Sequence, residues 1–142
     1  MRLGHVALAA NDPKALAGFY ARFLGLRTVA EVVTEQTGSM VLMSPTPDGP
    51  PELQLMSNPR GRHVAFRVDS LAELRQLHAA APDSGATVAF SFDHGSSLSF
   101  YVQDPEGNPC EVYWETGRPS AAGNRPIDLR RPEEELLDLI GA

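Results

Sequence analysis

A short run of residues occurs twice in this chain. His5-Val6-Ala7-Leu8 recurs almost unchanged as His63-Val64-Ala65-Phe66, 58 residues later. Both runs have strand-like composition, and a helix-start signal follows each of them, so they predict the first strands of two copies of one structural unit. A duplicated unit gives the two histidines equivalent positions in the fold, although they are far apart in the chain.

The first copy contains signals for one helix and four strands. Asn11-Asp12-Pro13 supplies a capping residue followed by proline at the first helical position, which predicts a helix that ends at Gly25. Alternating or β-rich stretches predict strands at 3–9, about 27–34, 38–44 and 52–57. The first copy is therefore a predicted βαβββ module.

The second copy repeats this order. Ser70 followed by Glu73 has the pattern of a capping box and predicts a second helix. Strands are predicted at 62–68, 86–92, 97–103 and 109–115, then a loop-like stretch from Gly117 to Pro126 and a short helix from Pro132 to Ile140. The predicted organisation is one α+β structural domain with modules at 1–60 and 61–116 and a tail at 117–142.

Composition restricts the class of partner. The net charge of −6 and a pI near 5.1 argue against nucleic acid or an anionic membrane as the main partner. The single cysteine, Cys110, excludes an internal disulfide framework, and neither a secretory signal nor a long apolar span is visible. We therefore expect a soluble cytoplasmic domain formed by one chain.

Strand parity predicts a metal site. Side chains alternate between the faces of a strand, which places His5, His63 and Glu111 on the side opposite the apolar residues that would pack against the helices. A lone histidine is more often an ordinary hydrogen-bonded residue, but two matched histidines with a carboxylate form the set that holds a divalent metal with open positions. The same parity places further side chains in this cavity: Glu52, Gln54, Met56, Arg67, Ser99, Tyr101 and Tyr113.

Four motifs resemble the vicinal oxygen chelate superfamily, which includes glyoxalase I, extradiol dioxygenases, methylmalonyl-CoA epimerase and the bleomycin- and fosfomycin-resistance proteins. They are Gly4–Leu8, Phe19–Leu26, His63–Val68 and Asp104–Glu111, and the resemblance spans about residues 1–116. It implies that the two modules form a curved mixed sheet around a metal-binding cavity, with the helices on the outer face. It also implies His5, His63 and Glu111 as the metal ligands.

Within that superfamily the chain looks most similar to small extradiol-dioxygenase-like members. These enzymes bind Fe(II) through two His and one Glu, and they carry a tyrosine ten residues before the glutamate, where Tyr101 stands. The resemblance implies that Tyr101 hydrogen-bonds a metal-bound substrate oxygen. The family's usual acid/base histidine has no counterpart, since Asp48 and Gly49 occupy that region, and His94 is the candidate substitute. The favoured prediction is an Fe(II)-dependent dioxygenase for a catechol-like substrate, with dioxygen as co-substrate.

Two other functions stay open. A glyoxalase- or epimerase-type isomerase or lyase would add a fourth ligand, Gln54 or Glu52, around Mn, Zn, Ni or Co. A metal-free drug-binding resistance protein is the least favoured, because such binders often lack the ligand trio. Short members of the superfamily commonly associate, so a homodimer is expected. The substrate, the metal and the role of the tail are not specified by these patterns.

Overall fold

The computed structural model describes residues 1–141. The chain divides into two compact units. The N-terminal unit comprises Gly4–Val64, and the C-terminal unit comprises Met1–Leu3 together with the chain from Ala65 onward. The strands β1 (Arg2–Ala9) and β5 (His63–Val68) each contribute residues to both units.

The N-terminal unit is a βαβββ module. After β1 come α1 (Pro13–Leu24), β2 (Arg27–Thr34), β3 (Gly38–Ser44) and β4 (Leu53–Met56). The strand order is β2-β3-β4-β1; β1 runs parallel to β4 and the other neighbours are antiparallel. Its core consists of Ala17, Val41, Met43 and Leu55.

Local signals at the ends of α1 explain its length. The Asp12 carboxylate accepts a hydrogen bond from the Ala15 amide at 3.1 Å, and Pro13 occupies the first turn. The helix ends at Gly25, whose φ of +70° carries no Cβ penalty. On the same helix Phe19 and Phe23 are exposed and stack on each other with ring centroids 5.5 Å apart.

The C-terminal unit repeats the module and then extends it. After β5 come α2 (Leu71–Ala80), β6 (Thr87–Asp93), β7 (Ser97–Gln103), β8 (Pro109–Glu115), β9 (Arg125–Pro126) and α3 (Glu133–Ile140). The strand order is β5-β8-β7-β6-β9. The predicted capping box begins α2: Ser70 Oγ accepts from the Glu73 amide, and the Glu73 carboxylate accepts from the Asp69 amide, both at 3.1 Å.

The tail belongs to the C-terminal unit. Part of the stretch predicted to be a loop is instead β9, which pairs antiparallel with β6, with Pro126 opposite Phe92 and Arg125 opposite Asp93. The predicted helix is α3, and Leu136 and Ile140 are buried in the same core as Leu74 and Phe100.

The observed elements confirm the predicted fold class, which is α+β with two βαβββ modules. In the described chain, from residue 1 to residue 141, no helix is both long enough and apolar enough to span a lipid bilayer.

Candidate functional site

Two predicted ligands meet in the N-terminal unit. His5 lies on β1, and His63 is the first residue of β5. Their Nε2 atoms are 3.0 Å apart, and the rings meet edge to face with centroids 5.2 Å apart and planes at 78°. Both side chains are partly buried. The duplicated run therefore brings the same nitrogen of both imidazoles to one point.

A backbone carbonyl orients the ring of His63. The Nδ1 atom lies 2.6 Å from the carbonyl oxygen of Gly61. A carbonyl can only accept, so Nδ1 carries the proton, and in the neutral ring Nε2 presents its lone pair toward His5. The turn that supplies this carbonyl is tightly packed, since a Cβ at Gly61 would lie 2.0 Å from Sδ of the buried Met56. Met56, predicted to line the cavity, thus packs behind this turn.

The predicted fourth-ligand candidates differ in placement. Gln54 is partly buried on β4 and pairs with Ala7, which shares a face of β1 with His5. The neighbouring Leu55 points to the opposite face and belongs to the core. Glu52 precedes β4 and is exposed, and its carbonyl accepts from the Val6 amide at 3.0 Å. Of the two, Gln54 is the one on a strand.

Glu111 is held in the C-terminal unit. It lies on β8 and is only 4% exposed. Ser99 on β7, which is fully buried, donates its hydroxyl proton to Glu111 Oε1 at 2.8 Å. Tyr101 is directly opposite Glu111 in the β7–β8 register. The carboxylate is therefore surrounded by hydroxyl groups on the neighbouring strand.

Tyr101 links Glu111 to His94. Burial raises the pKa of Tyr101, and the charge of Glu111 and the hydrogen bond to its carboxylate raise it further, so the phenol stays protonated at neutral pH. Because a carboxylate only accepts, the phenol proton is directed to Glu111. The contact of 2.9 Å between His94 Nε2 and Tyr101 Oη is then an N–H donated by the imidazole. Phe90 stacks on the Tyr101 ring, with centroids 4.5 Å apart.

Two further residues predicted to line the cavity are Arg67 on β5 and Tyr113 on β8. Arg67 forms an ion pair with Glu115 at 3.1 Å, so in this structure its partner is a protein carboxylate. Tyr113 pairs with Ser99 across β7 and β8, and burial raises the pKa of its phenol.

Sequence reasoning missed Asp93. This carboxylate is fully buried at the end of β6, one residue before His94. It accepts from Arg118 Nη2 at 2.6 Å, from Arg125 Nε at 3.3 Å and from the Gly95 amide at 2.8 Å. An aspartate before His-Gly has the local pattern of a turn residue, and nothing in that pattern indicates that two arginines of the tail neutralise it.

Comparison with known proteins identifies the family. The βαβββ repeat is the fold of a large class of small-molecule enzymes and binders, and residues 2–112 match the model of the Glyoxalase/Bleomycin resistance protein/Dioxygenase superfamily. The chain belongs to this superfamily, as the sequence motifs predicted.

Individual relatives come from two kinds of enzyme. Biphenyl-2,3-diol 1,2-dioxygenase 3 of Rhodococcus globerulus is 27% identical over 99% of this chain and 75% of its own length. A crystal structure of catechol 2,3-dioxygenase is 25% identical with a TM-score of 0.63, over 82% of this chain and 40% of that one. A variant of methylmalonyl-CoA epimerase from Streptomyces coelicolor, in complex with 2-nitronate-propionyl-CoA, is 23% identical with a TM-score of 0.62, over 83% and 96%. The chain thus spans less than half of the dioxygenase structure.

Proposed function

We propose that this protein is a metal-dependent enzyme in which His5, His63 and Glu111 hold one divalent ion. We further propose that the ion is Fe(II) and that the reaction is an extradiol-type oxygenation of a catechol-like substrate. The observation that carries the proposal is the 3.0 Å separation of the two imidazole Nε2 atoms.

That separation fits two ligands of one ion. Two nitrogens that are each about 2.1 Å from a shared ion, with about 90° between the bonds, lie about 3.0 Å apart. The proton on Nδ1 of His63 is held by the Gly61 carbonyl, which is the usual way a protein orients a ligating imidazole. In the metal-free protein, the same separation lets one imidazole donate to the other.

Glu111 has the character of the third ligand. Two imidazole nitrogens and a carboxylate oxygen form a donor set that suits Fe, Mn, Co, Ni and Zn. A buried carboxylate is costly unless it is neutralised by a cation or well hydrogen-bonded. The Ser99 hydroxyl holds one of its oxygens in place and so orients the other.

Tyr101 and His94 are the groups that would manage protons. When bound, the metal would act as a Lewis acid and would orient a chelating substrate beside dioxygen. The buried phenol of Tyr101 is a hydrogen-bond donor with a raised pKa, and His94 donates to the phenol oxygen at 2.9 Å. Together, His94 and Tyr101 can relay a proton to a substrate bound at the metal, or take one from it. The resemblance to a biphenyl-diol dioxygenase over 99% of the chain supports this reaction.

A second candidate function is an epimerase- or glyoxalase-type isomerisation. The likeness to methylmalonyl-CoA epimerase over nearly its whole length favours it, as does Gln54 on the His5 side of β4. In that reaction Gln54 would be a fourth ligand and the metal would be Mn, Zn, Ni or Co.

One experiment separates these functions. The protein is purified anaerobically and its metal content measured, then reconstituted with Fe(II) and assayed for oxygen uptake with a panel of catechols. Oxygen consumption with a yellow ring-cleavage product supports the dioxygenase. Tightly held Zn, Ni or Co without oxygen uptake contradicts it and favours the isomerase.

Gly61→Ala should weaken metal binding about tenfold. The added Cβ would be 2.0 Å from Sδ of Met56, so either this side chain or the turn must shift. Met56 is buried and has little room to give way, so we expect the turn to shift together with the carbonyl that orients His63. Loss of an outer-shell partner typically costs 10–100-fold in metal affinity. Competition with a chelator measures the change.

A suppressor and a control complete this test. Met56→Ala in the Gly61→Ala background removes the collision and should restore part of the affinity. Gly18→Ala on α1, where the added Cβ meets only Arg22 Nη1 at 3.1 Å, should leave the affinity unchanged. Wild-type affinity in the Gly61→Ala protein would contradict the expected displacement of the turn.

The homodimer and the cytoplasmic location also remain proposals. Light scattering on the metal-loaded protein tests the first, and localisation of a tagged chain in cells tests the second.

A further inference from the structure

We infer that the tail segment, residues 116–126, positions His94, through the pairing of Arg118 and Arg125 with the buried carboxylate of Asp93. This inference rests on the proposed function for its catalytic consequence. All of the residues that carry it belong to the C-terminal unit. Arg118 and Asp93 are positioning residues here, since they act on the reaction through His94.

Two arginines of the tail segment form a charge clamp on Asp93, next to His94. Asp93 is fully buried, and the Arg118 side chain that pairs with it is only 15% exposed. Arg118 Nη2 donates to Asp93 Oδ1 at 2.6 Å while its Nη1 donates to the Ala122 carbonyl at 3.2 Å. Arg125 Nε donates to the other carboxylate oxygen at 3.3 Å. A charge pair buried to this degree is expensive to break, because one partner alone would remain as an unneutralised charge.

The tail segment also contacts the backbone of the turn that carries His94. The amide of Asn124 donates to the Asp93 carbonyl at 2.6 Å, and Thr116 Oγ1 donates to the Gly95 carbonyl at 2.5 Å. A Cβ at Gly123 would lie 1.8 Å from the Gly95 nitrogen. Gly95 itself has a φ of +82°, a backbone conformation that residues with a side chain rarely adopt. The tail segment therefore holds the peptide before His94 and the peptide after Gly95 by hydrogen bonds, and Gly123 packs against the peptide between His94 and Gly95.

The His94 ring points toward the hydroxyl of Tyr101. It reaches Tyr101 Oη at 2.9 Å across seven residues of a hairpin, and the Phe92 ring lies beside it with centroids 4.9 Å apart. His94 has few side-chain torsions, so the direction of its Nε2 follows the orientation of the peptides at Asp93 and Gly95. A tail segment that loosens its hold would let the imidazole swing away from the phenol. A displacement of about 1 Å at a reacting group can cost on the order of 100-fold in rate.

The test combines two variants with a readout that does not need activity. Arg118→Lys keeps the positive charge but loses the fork that joins Asp93 to the Ala122 carbonyl, and Arg118→Ala removes both. In metal-free wild-type protein labelled with nitrogen-15, the His94 ring should show a single tautomer with the proton on Nε2. In Arg118→Lys we expect averaged nitrogen shifts for His94 and unchanged shifts for His78, which lies on α2 against Phe100.

The matched control is Arg130→Lys. Arg130 is also in the tail and pairs with a carboxylate, Asp128 at 2.9 Å, but its side chain is 80% exposed. This variant should leave the His94 signals as in wild type. If Arg118→Ala does not fold, Arg118→Lys decides the matter. Wild-type His94 signals in Arg118→Lys would overturn the inference.

Turnover then tests the consequence separately. With Fe(II)-loaded protein and a catechol, Arg118→Lys should lower kcat about tenfold and leave KM and metal content unchanged. If the wild-type protein turns over no catechol, the proposed dioxygenase fails while the nitrogen-15 result still decides the role of the tail segment. A kcat equal to wild type, in a protein that shows the altered His94 signals, would overturn the catalytic part.

Discussion

Replacing His63 with alanine should give a folded protein that no longer binds a divalent ion. The substitution removes one of the two imidazoles whose Nε2 atoms lie 3.0 Å apart. Loss of an outer-shell partner alone costs 10–100-fold in affinity, so loss of a ligand should exceed about 100-fold. Metal content after dialysis, measured by elemental analysis, checks this result.

Folding should survive the His63 substitution. The side chain is only partly buried, and neither unit's core cluster includes it. Circular dichroism and urea unfolding of the metal-free variant should therefore resemble those of metal-free wild type. His78→Ala is the matched control, because it removes an imidazole that packs edge to face on Phe100, 5.2 Å between centroids. That variant should keep the ion, whereas stoichiometric metal in His63→Ala would disprove the ligand assignment.

Replacing Tyr101 with phenylalanine should lower turnover roughly 100-fold and leave the metal content unchanged. The substitution deletes the hydroxyl that hydrogen-bonds Glu111 and accepts from His94. A positioned proton donor or acceptor typically contributes 10²–10⁴-fold to a rate. The aromatic ring remains, so the stacking with Phe90 and the packing of β7 are preserved. Steady-state kinetics with the catechol that gives the highest oxygen uptake measures the effect.

The control for Tyr101 is the same substitution at Tyr20. Tyr20 lies on α1 and packs against the core of the N-terminal unit, where its hydroxyl has no proposed part in the reaction. Tyr20→Phe should therefore turn over at the wild-type rate. A kcat for Tyr101→Phe equal to that of wild type would remove the phenol from the proposed mechanism.

Much of the fold could be predicted from local sequence signals. The starts of α1 and α2 could be predicted because helix capping depends on side chains within three residues of the cap. The capping residues are Asp12 with Pro13 for α1, and Ser70 with Glu73 for α2. Strand alternation predicts which residues face the core, as Leu55 in the core and Gln54 on the other face illustrate. Helix starts and strand faces could therefore be predicted, because both depend on residues that are close together in the sequence.

Other features escaped because their cause is distant in the chain. β9 has only two residues, one of them a proline without an amide proton, so it has no alternation to detect. The buried carboxylate of Asp93 is neutralised by arginines that lie 25 and 32 residues later in the chain, so no local pattern indicates its burial. The contact between His94 and Tyr101 depends on the hairpin that this clamp supports. Strand parity could therefore indicate candidate site residues, whereas the long-range contacts next to His94 could not be predicted from the sequence.

Because α3 is buried in the C-terminal core, the part of the chain that must fold together extends beyond the region that matches the family model. The family match ends at residue 112, yet Leu129, Leu136 and Ile140 are members of the core that contains Leu74 and Phe100. A chain truncated at that boundary would expose this apolar surface to water and become prone to aggregation. For deletion mapping and for library design, the tail must therefore be treated as part of the scaffold, and tolerance to mutation should be as low at Leu136 as on the central strands.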